Sequence, residues 1–204
     1  MSRLPDDRET ADLEPRLEAM LSAAAAANHG HAVWRARKLA EAEDLVAMAR
    51  RAHRIVLEAL DLGTSLRAVV RLTTPVPLLP RAGALVTADR AVLGIRYPQE
   101  ALLRRLPGTA FVQILYPAAV WLANAAAGPF QVLCLGVDLP IGIRVTELVH
   151  LAYRALSVQE IQPDERDRAG VLNVEAARWW QQNRGLAPLT RAPLFAPLET
   201  GVPR

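Results

Sequence analysis

Two reactive residue types are almost absent from this sequence of 204 residues, which contains one cysteine, Cys134, and one lysine, Lys38. A single cysteine excludes an intramolecular disulfide and a cysteine-based zinc site, so we expect a reducing compartment and predict a cytoplasmic protein. Arginine therefore supplies nearly all of the positive charge.

Long apolar runs are also missing. No segment approaches the roughly 18 to 20 apolar residues of a membrane span, and the stretch from Met1 to Glu9 is too acidic for a secretory leader. We therefore expect no membrane partner. The formal net charge of +3 is small and dispersed. Since aromatic and basic residues do not alternate, we expect no nucleic-acid partner either.

The residue types that bind metals or activate nucleophiles form no visible cluster. None of the four histidines, at positions 29, 31, 53 and 150, lies beside Cys134 in the sequence. We therefore predict no metal site and no other cofactor. A papain-like hydrolase is also disfavoured, because it needs a cysteine, a histidine and an orienting group together.

The residues that are present indicate a compact fold. Hydrophobic residues make up 51% of the chain and charged residues 22%, which is ordinary for a globular domain. We predict a helical N-terminal extension over 1–31, a main domain over 32–185 and a proline-rich tail over 186–204. The apolar residues Leu194, Phe195 and Leu198 of this tail could dock on the main domain.

Apolar periodicity predicts helices at both ends of the chain and a four-stranded sheet between them. The predicted helices cover 12–27, 32–62, 145–156 and 174–183. The predicted strands cover 66–73, 84–87, 91–96 and 111–115, with a proline-rich loop over 75–80 and a turn at 88–90. Short links between successive strands are typical of an antiparallel meander, so the fold class is α+β.

The last predicted helix carries two local signals. Asn173 has the side chain of a good N-cap for a helix that begins at Val174. Neighbouring helix positions point about 100° apart, so Trp179 and Trp180 cannot both face the core squarely. Core packing is the default for this pair, and an exposed Trp180 would indicate a partner surface.

The only cysteine ends a short apolar run, Phe130 to Leu133, and is followed two residues later by Gly136. Two interpretations of Cys134 are open. It is either a buried structural thiol or a nucleophile presented on a loop, and the surrounding sequence favours the nucleophile.

The order of elements and several local motifs resemble the ubiquitin-conjugating (UBC) enzymes. Arg96-Tyr97-Pro98 is similar to the Tyr-Pro that ends the third strand of that family, and Val132-Leu133-Cys134-Leu135 to its active-site motif. Pro140 precedes a helix where the family has its crossover helix. The run from Leu172 to Ala177 resembles the Leu-Asn-x-Glu-Ala-Ala that begins the next helix. The collinear match covers roughly residues 49–183.

This resemblance implies a UBC-like domain over 32–185 with Cys134 as its thioester site. The chain departs from the family before the cysteine, where Tyr116-Pro117-Ala118 stands in place of His-Pro-Asn. Asn124 is then the candidate to replace the missing asparagine, and Asp138 is the candidate acid for the acceptor amine. Asp164 and Asp167 occupy the loop in which the family often has an acid.

The implied activity is that of a conjugating enzyme, an acyltransferase that carries a ubiquitin-like protein. Its implied partners are that protein, an activating enzyme and a protein substrate with an acceptor amine. The departures resemble bacterial UBC-like proteins of ubiquitination-like operons, many of them linked to phage defence. An alternative is a non-catalytic UBC-like scaffold that binds a ubiquitin-like protein. The scarcity of lysine fits either a GC-rich genome or the avoidance of self-targets for a thioester.

Overall fold

The computed structural model describes residues 13–81, 84–128, 131–160 and 170–195. Within them the fold is α+β, with four α-helices and one five-stranded antiparallel sheet. The helices are α1 (Leu13–Ala26), α2 (Ala32–Arg51), α3 (Val145–Leu156) and α4 (Val174–Gln182). The strands are β1 (Ile55–Asp61), β2 (Leu66–Arg81), β3 (Ala84–Tyr97), β4 (Val112–Tyr116) and β5 (Gln131–Leu133).

The sheet is a meander in which each strand pairs with the next along the chain. One face is apolar and packs under the helices, because alternate side chains of a strand point to the same side. Helix α2 packs against β1, and α3 packs against β2. Buried residues at the inward positions include Leu57, Val70, Leu93 and Ile114.

The predicted four-stranded sheet and the long second helix both need correction. Helix α2 ends at Arg51, and β1 occupies residues that the prediction gave to that helix. The chain leaves the helix at Ala52, where φ is −113° and ψ is 107°. A short apolar run such as Ile55 to Leu57 fits either period, so spacing alone could not separate the strand from the helix before it.

The predicted proline loop is wrong, because β2 continues through it. Pro75 lies at a register shift between Thr73 and Val76, where a missing N–H is tolerated. Pro77 pairs with β3, and its carbonyl accepts the N–H of Trp121 at 2.8 Å. The predicted turn at 88–90 is wrong for the same reason: β3 is continuous there and pairs with the extended part of β2.

The C-terminal helix and the described part of the tail, residues 186–195, pack into the domain. The Asn173 side chain accepts the N–H of Ala176 at 3.0 Å, which confirms the predicted N-cap. Trp180 is fully buried and donates its indole N–H to the Trp121 carbonyl, so the core-packing interpretation holds. Leu194 of the tail is also in the core, together with Leu17 of α1. Leu198 lies outside the described residues.

None of the four described helices is long and apolar enough to cross a membrane.

Candidate functional site

Cys134 stands directly after β5, the short outermost strand. The loop over 120–126 runs beside β5 and is tied to it by the buried side chain of Gln131. The Gln131 amide accepts the Val120 N–H at 2.7 Å and donates to the carbonyls of Val120 and Ala126, each at 3.0 Å. This one side chain therefore fixes the loop that carries Asn124.

Asn124 and Cys134 form a two-way hydrogen-bonded pair. The Asn124 side chain donates from Nδ2 to the Cys134 carbonyl at 2.9 Å, and the Cys134 N–H donates to the Asn124 carbonyl at 2.8 Å. The structure thus brings these two predicted site residues together. The contact goes to the backbone of Cys134, so Asn124 positions the loop rather than the sulfur.

A close backbone contact holds the other side of the cysteine loop. The N–H of Gly108 donates to the Gly136 carbonyl at 2.9 Å. A Cβ built on Gly108 would lie 2.5 Å from both the nitrogen and the oxygen of Gly136, so only glycine fits. The Cys134 thiol points to the same Gly136 carbonyl, with Sγ at 3.3 Å from the oxygen.

The thiol borders a cavity of about 500 Å³. Asn124, Cys134 and Gly136 line one part of it, while Leu151, Gln159 and Glu160 lie on the side of α3. Cys134 itself is only 4% exposed. A small reagent in the cavity would therefore approach a thiol that is almost fully buried.

The predicted acid does not belong to this cavity. Asp138 is exposed and is absent from the described lining residues. The acid that does line the cavity is Glu160, whose carboxylate pairs with Arg154. Asp164 and Asp167 lie outside the described residues.

The described part of the cavity contains no histidine. His31 caps α2, His150 packs on the ring of Phe195 at 5.6 Å, and His53 is exposed. Within the described residues, no three His, Cys, Asp or Glu side chains come together as a metal-binding group. The arrangement therefore offers a thiol with a fixed backbone and no imidazole base.

The tail reaches the cavity wall through Gln159. Its side-chain amide donates to the carbonyls of Thr190 and Ala192, both at 3.1 Å, and the hydroxyl of Tyr153 also donates to Ala192 at 2.7 Å. These bonds fasten residues of the predicted tail along α3.

Sequence reasoning missed four residues at this site: Gly108, Gln131, Gln159 and Glu160. The sequence did contain an indication for Gln131, because it is a polar residue inside an otherwise apolar strand. The other three residues belong to segments that reach Cys134 only in the folded protein, so local sequence patterns could not predict their place at the site.

Lys38, the only lysine, is fully buried between α2 and the end of β1. Its ammonium group donates to the carbonyls of His29 at 2.8 Å, Leu62 at 2.5 Å and Gly63. Burial lowers the pKa of Lys38, and the negative charge of Asp61 opposes that shift. The three hydrogen bonds leave this amine no free donor position.

Comparison with protein-family models, with curated proteins and with solved structures returned no match.

Proposed function

We propose that this chain carries a ubiquitin-like protein as a thioester on Cys134 and passes it to an amine. The activating enzyme would present the C-terminal carbonyl of the ubiquitin-like protein as a thioester of its own. The Cys134 thiolate attacks that carbonyl, a new carbon–sulfur bond forms, and the thiolate of the activating enzyme leaves. An acceptor amine then attacks the same carbon, the bond to Cys134 breaks, and the amine loses a proton.

The observation that carries this proposal is the pairing of Asn124 with the backbone of Cys134. In the UBC family an asparagine of His-Pro-Asn is thought to hold the cysteine loop, and the chain lacks it at Ala118. Asn124 supports that loop from a different backbone position. A loop held in this way keeps the thioester carbonyl in one place while the two partners exchange, which is what transfer requires.

The absence of a histidine base at Cys134 is compatible with this reaction. Exchange between two thiols is nearly balanced, since the leaving group is as good as the attacking one. A hydrolase acting on an amide would need a general base and acid, whereas a thioester carrier needs much less.

The burial of Lys38 also supports a carrier. It is the only lysine of the chain, and its amine is enclosed and fully hydrogen-bonded. A thioester on Cys134 would therefore meet no exposed lysine of its own chain, which protects the intermediate from loss by self-modification.

A non-catalytic scaffold is the second candidate, and the burial of the thiol favours it. At 4% exposure, with its S–H directed to Gly136, Cys134 is reached by a large partner only if the surrounding chain moves aside. A scaffold needs no such movement. It would bind a ubiquitin-like protein equally well without the thiol.

The test is incubation with ATP and each pair of activating enzyme and ubiquitin-like protein encoded in the same genome. We expect an adduct that a reducing thiol removes, that Cys134→Ala loses, and that Cys134→Ser retains as a reductant-resistant ester. Noncovalent binding of the same ubiquitin-like protein, measured by calorimetry, distinguishes a scaffold from a thioester carrier. If Cys134→Ala binds normally and the wild type forms no adduct, the scaffold is the correct function.

The transfer step, measured by itself, tests which carboxylate assists the acceptor amine. With preformed adduct and a free amine, we expect Glu160→Gln to slow transfer and Asp138→Asn to leave it unchanged, because only Glu160 lines the cavity. The opposite result would restore Asp138 to the role that the sequence suggested.

A further inference from the structure

Two arginines face each other on the outer surface of the sheet. Arg67 of β2 and Arg96 of β3 are direct cross-strand partners, and both are exposed. Neither guanidinium makes an ion pair or a hydrogen bond to any described residue. Like charges placed directly opposite on a sheet repel each other, so this pair weakens the sheet unless an anion joins it.

The neighbouring strand does not neutralise the pair. Asp61 of β1 is the cross-strand partner of Arg67, but its Oδ1 accepts the N–H of Gly63 at 3.1 Å, and it forms no ion pair with Arg67. The row of three side chains thus has two positive charges and one negative charge. By contrast, Arg71 on the same face pairs with Glu58 at 2.8 Å.

A groove of about 430 Å³ lies beside the arginine pair. Its floor is the next cross-strand row, which consists of Val69, Gly94, Gln113 and Val132. Gly94 contributes no side chain, and the half-exposed Leu115 side chain of β4 lies beside it, with atoms 3.4 to 3.6 Å from the position that a Cβ would take. The groove therefore combines a mainly apolar floor, in which Gln113 is the polar member, with two arginines that make no ion pair and the carboxylate of Asp61 at one end.

We infer that this groove is a binding site for an organic anion, a carboxylate or phosphate attached to an apolar body. Cross-strand partners have Cα atoms about 4.5 to 5.5 Å apart, so both guanidiniums can donate to one anionic group. The valines of the floor take the apolar body, and the volume is within the roughly 300 to 1,000 Å³ of small-molecule sites. This inference is independent of the thioester proposal, since the groove and the Cys134 cavity share no described lining residue.

Calorimetric titration of the full chain with decanoate, decyl phosphate, decanol and inorganic phosphate tests the site. We expect decanoate and decyl phosphate to bind. Decanol, which lacks the anionic group, and inorganic phosphate, which lacks the apolar chain, should each bind at least about tenfold more weakly. The difference between decanoate and decyl phosphate identifies the preferred head group. Binding of decanol as tight as that of decanoate would overturn the inference, and so would inorganic phosphate binding as tightly as decyl phosphate.

Three variants locate the binding, and a fourth serves as the control. Arg67→Gln and Arg96→Gln should each weaken anion binding about tenfold or more, whereas Arg104→Gln, an exposed arginine outside the groove, should not. Gly94→Val should weaken binding about tenfold or more without altering any charge, because the valine side chain, and the Leu115 side chain that it pushes aside, take up space in the groove. The new Cβ would stand 3.4 Å from the nearest Leu115 atom, and Leu115 is half exposed and can move. Unchanged affinity in Gly94→Val, with normal thermal unfolding, would contradict the site.

Discussion

The outer groove and the Cys134 cavity are built in different ways. The outer groove lies on regular strands, so a ladder of backbone hydrogen bonds fixes its shape and single side chains only set its chemistry. The Cys134 cavity has loops for walls, and three side-chain or glycine contacts fix them: those of Gln131, Asn124 and Gly108. Single substitutions should therefore displace the thiol site but leave the groove in place.

The largest effect is expected at Gln131, which is 2% exposed. Gln131→Leu removes three hydrogen bonds and leaves the Val120 N–H and two carbonyls without partners. At about 1 to 3 kcal/mol for each buried unsatisfied group, with partial relief by relaxation, we expect a loss of about 3 kcal/mol. Urea unfolding measures it.

The matched control is Gln113→Leu on the adjacent strand. Gln113 is half-buried on the outer face and makes no side-chain hydrogen bond to a described residue. Gln113→Leu should change the free energy of unfolding by no more than about 0.5 kcal/mol. Equal losses for the two substitutions would mean that the Gln131 bonds do not fix the loop.

Gly108→Ala should have the next largest effect. Its Cβ would overlap the backbone of Gly136, so the cysteine loop must shift. Overpacking of this kind costs about 1 to 3 kcal/mol, and we expect faster alkylation of Cys134 by iodoacetamide as the loop loosens. Gly185→Ala, which meets open space, should change neither quantity. An unchanged alkylation rate in Gly108→Ala would show that this contact does not restrain the thiol.

Asn124→Ala should cost less, because the backbone bond from Cys134 to Asn124 remains. Loss of the side-chain bond is worth about 1 kcal/mol. The alkylation rate of Cys134 should rise, whereas Asn28→Ala, which removes a similar but exposed bond to Arg35, should leave it unchanged. Asn124→Ala with wild-type alkylation would remove Asn124 from the positioning role.

The smallest effect is expected in the groove. Gly94→Val adds a β-branched residue to a strand interior, where glycine is unfavourable, but the new side chain also pushes against the half-exposed Leu115. The two effects oppose each other, so the free energy of unfolding should change by less than about 1 kcal/mol. A loss of more than about 1 kcal/mol would show that the groove floor is not the rigid surface that the ladder implies.

The sequence predicted the features that depend on local patterns. The α+β class, the N-cap at Asn173 and the helices α1, α3 and α4 follow from periodicity and capping, and the structure bears them out. The helix predicted over 32–62 was wrong at its end. The apolar run from Ile55 to Leu57 is too short to distinguish helical spacing from strand spacing. The proline loop was wrong because the 119–121 segment pairs with β2, a contact between distant parts of the chain.

The candidate site shows the same division. Cys134 was chosen from its motif and Asn124 from a gap in that motif, and the fold brings these two together. Asp138 was chosen by its closeness in sequence and lies outside the cavity. Gly108 and Glu160 come from segments remote in sequence, so only the fold could reveal them. The pairing of Arg67 with Arg96 could not be predicted either, because cross-strand neighbours depend on the register of the two strands.

The most direct test of the thioester proposal is the mass of the chain after incubation with ATP, an activating enzyme and its ubiquitin-like protein. The account predicts the addition of one ubiquitin-like protein less one water, located on Cys134 by peptide mapping and removed by a reducing thiol. No mass increase with any pair, or an adduct on a residue other than Cys134, would contradict it.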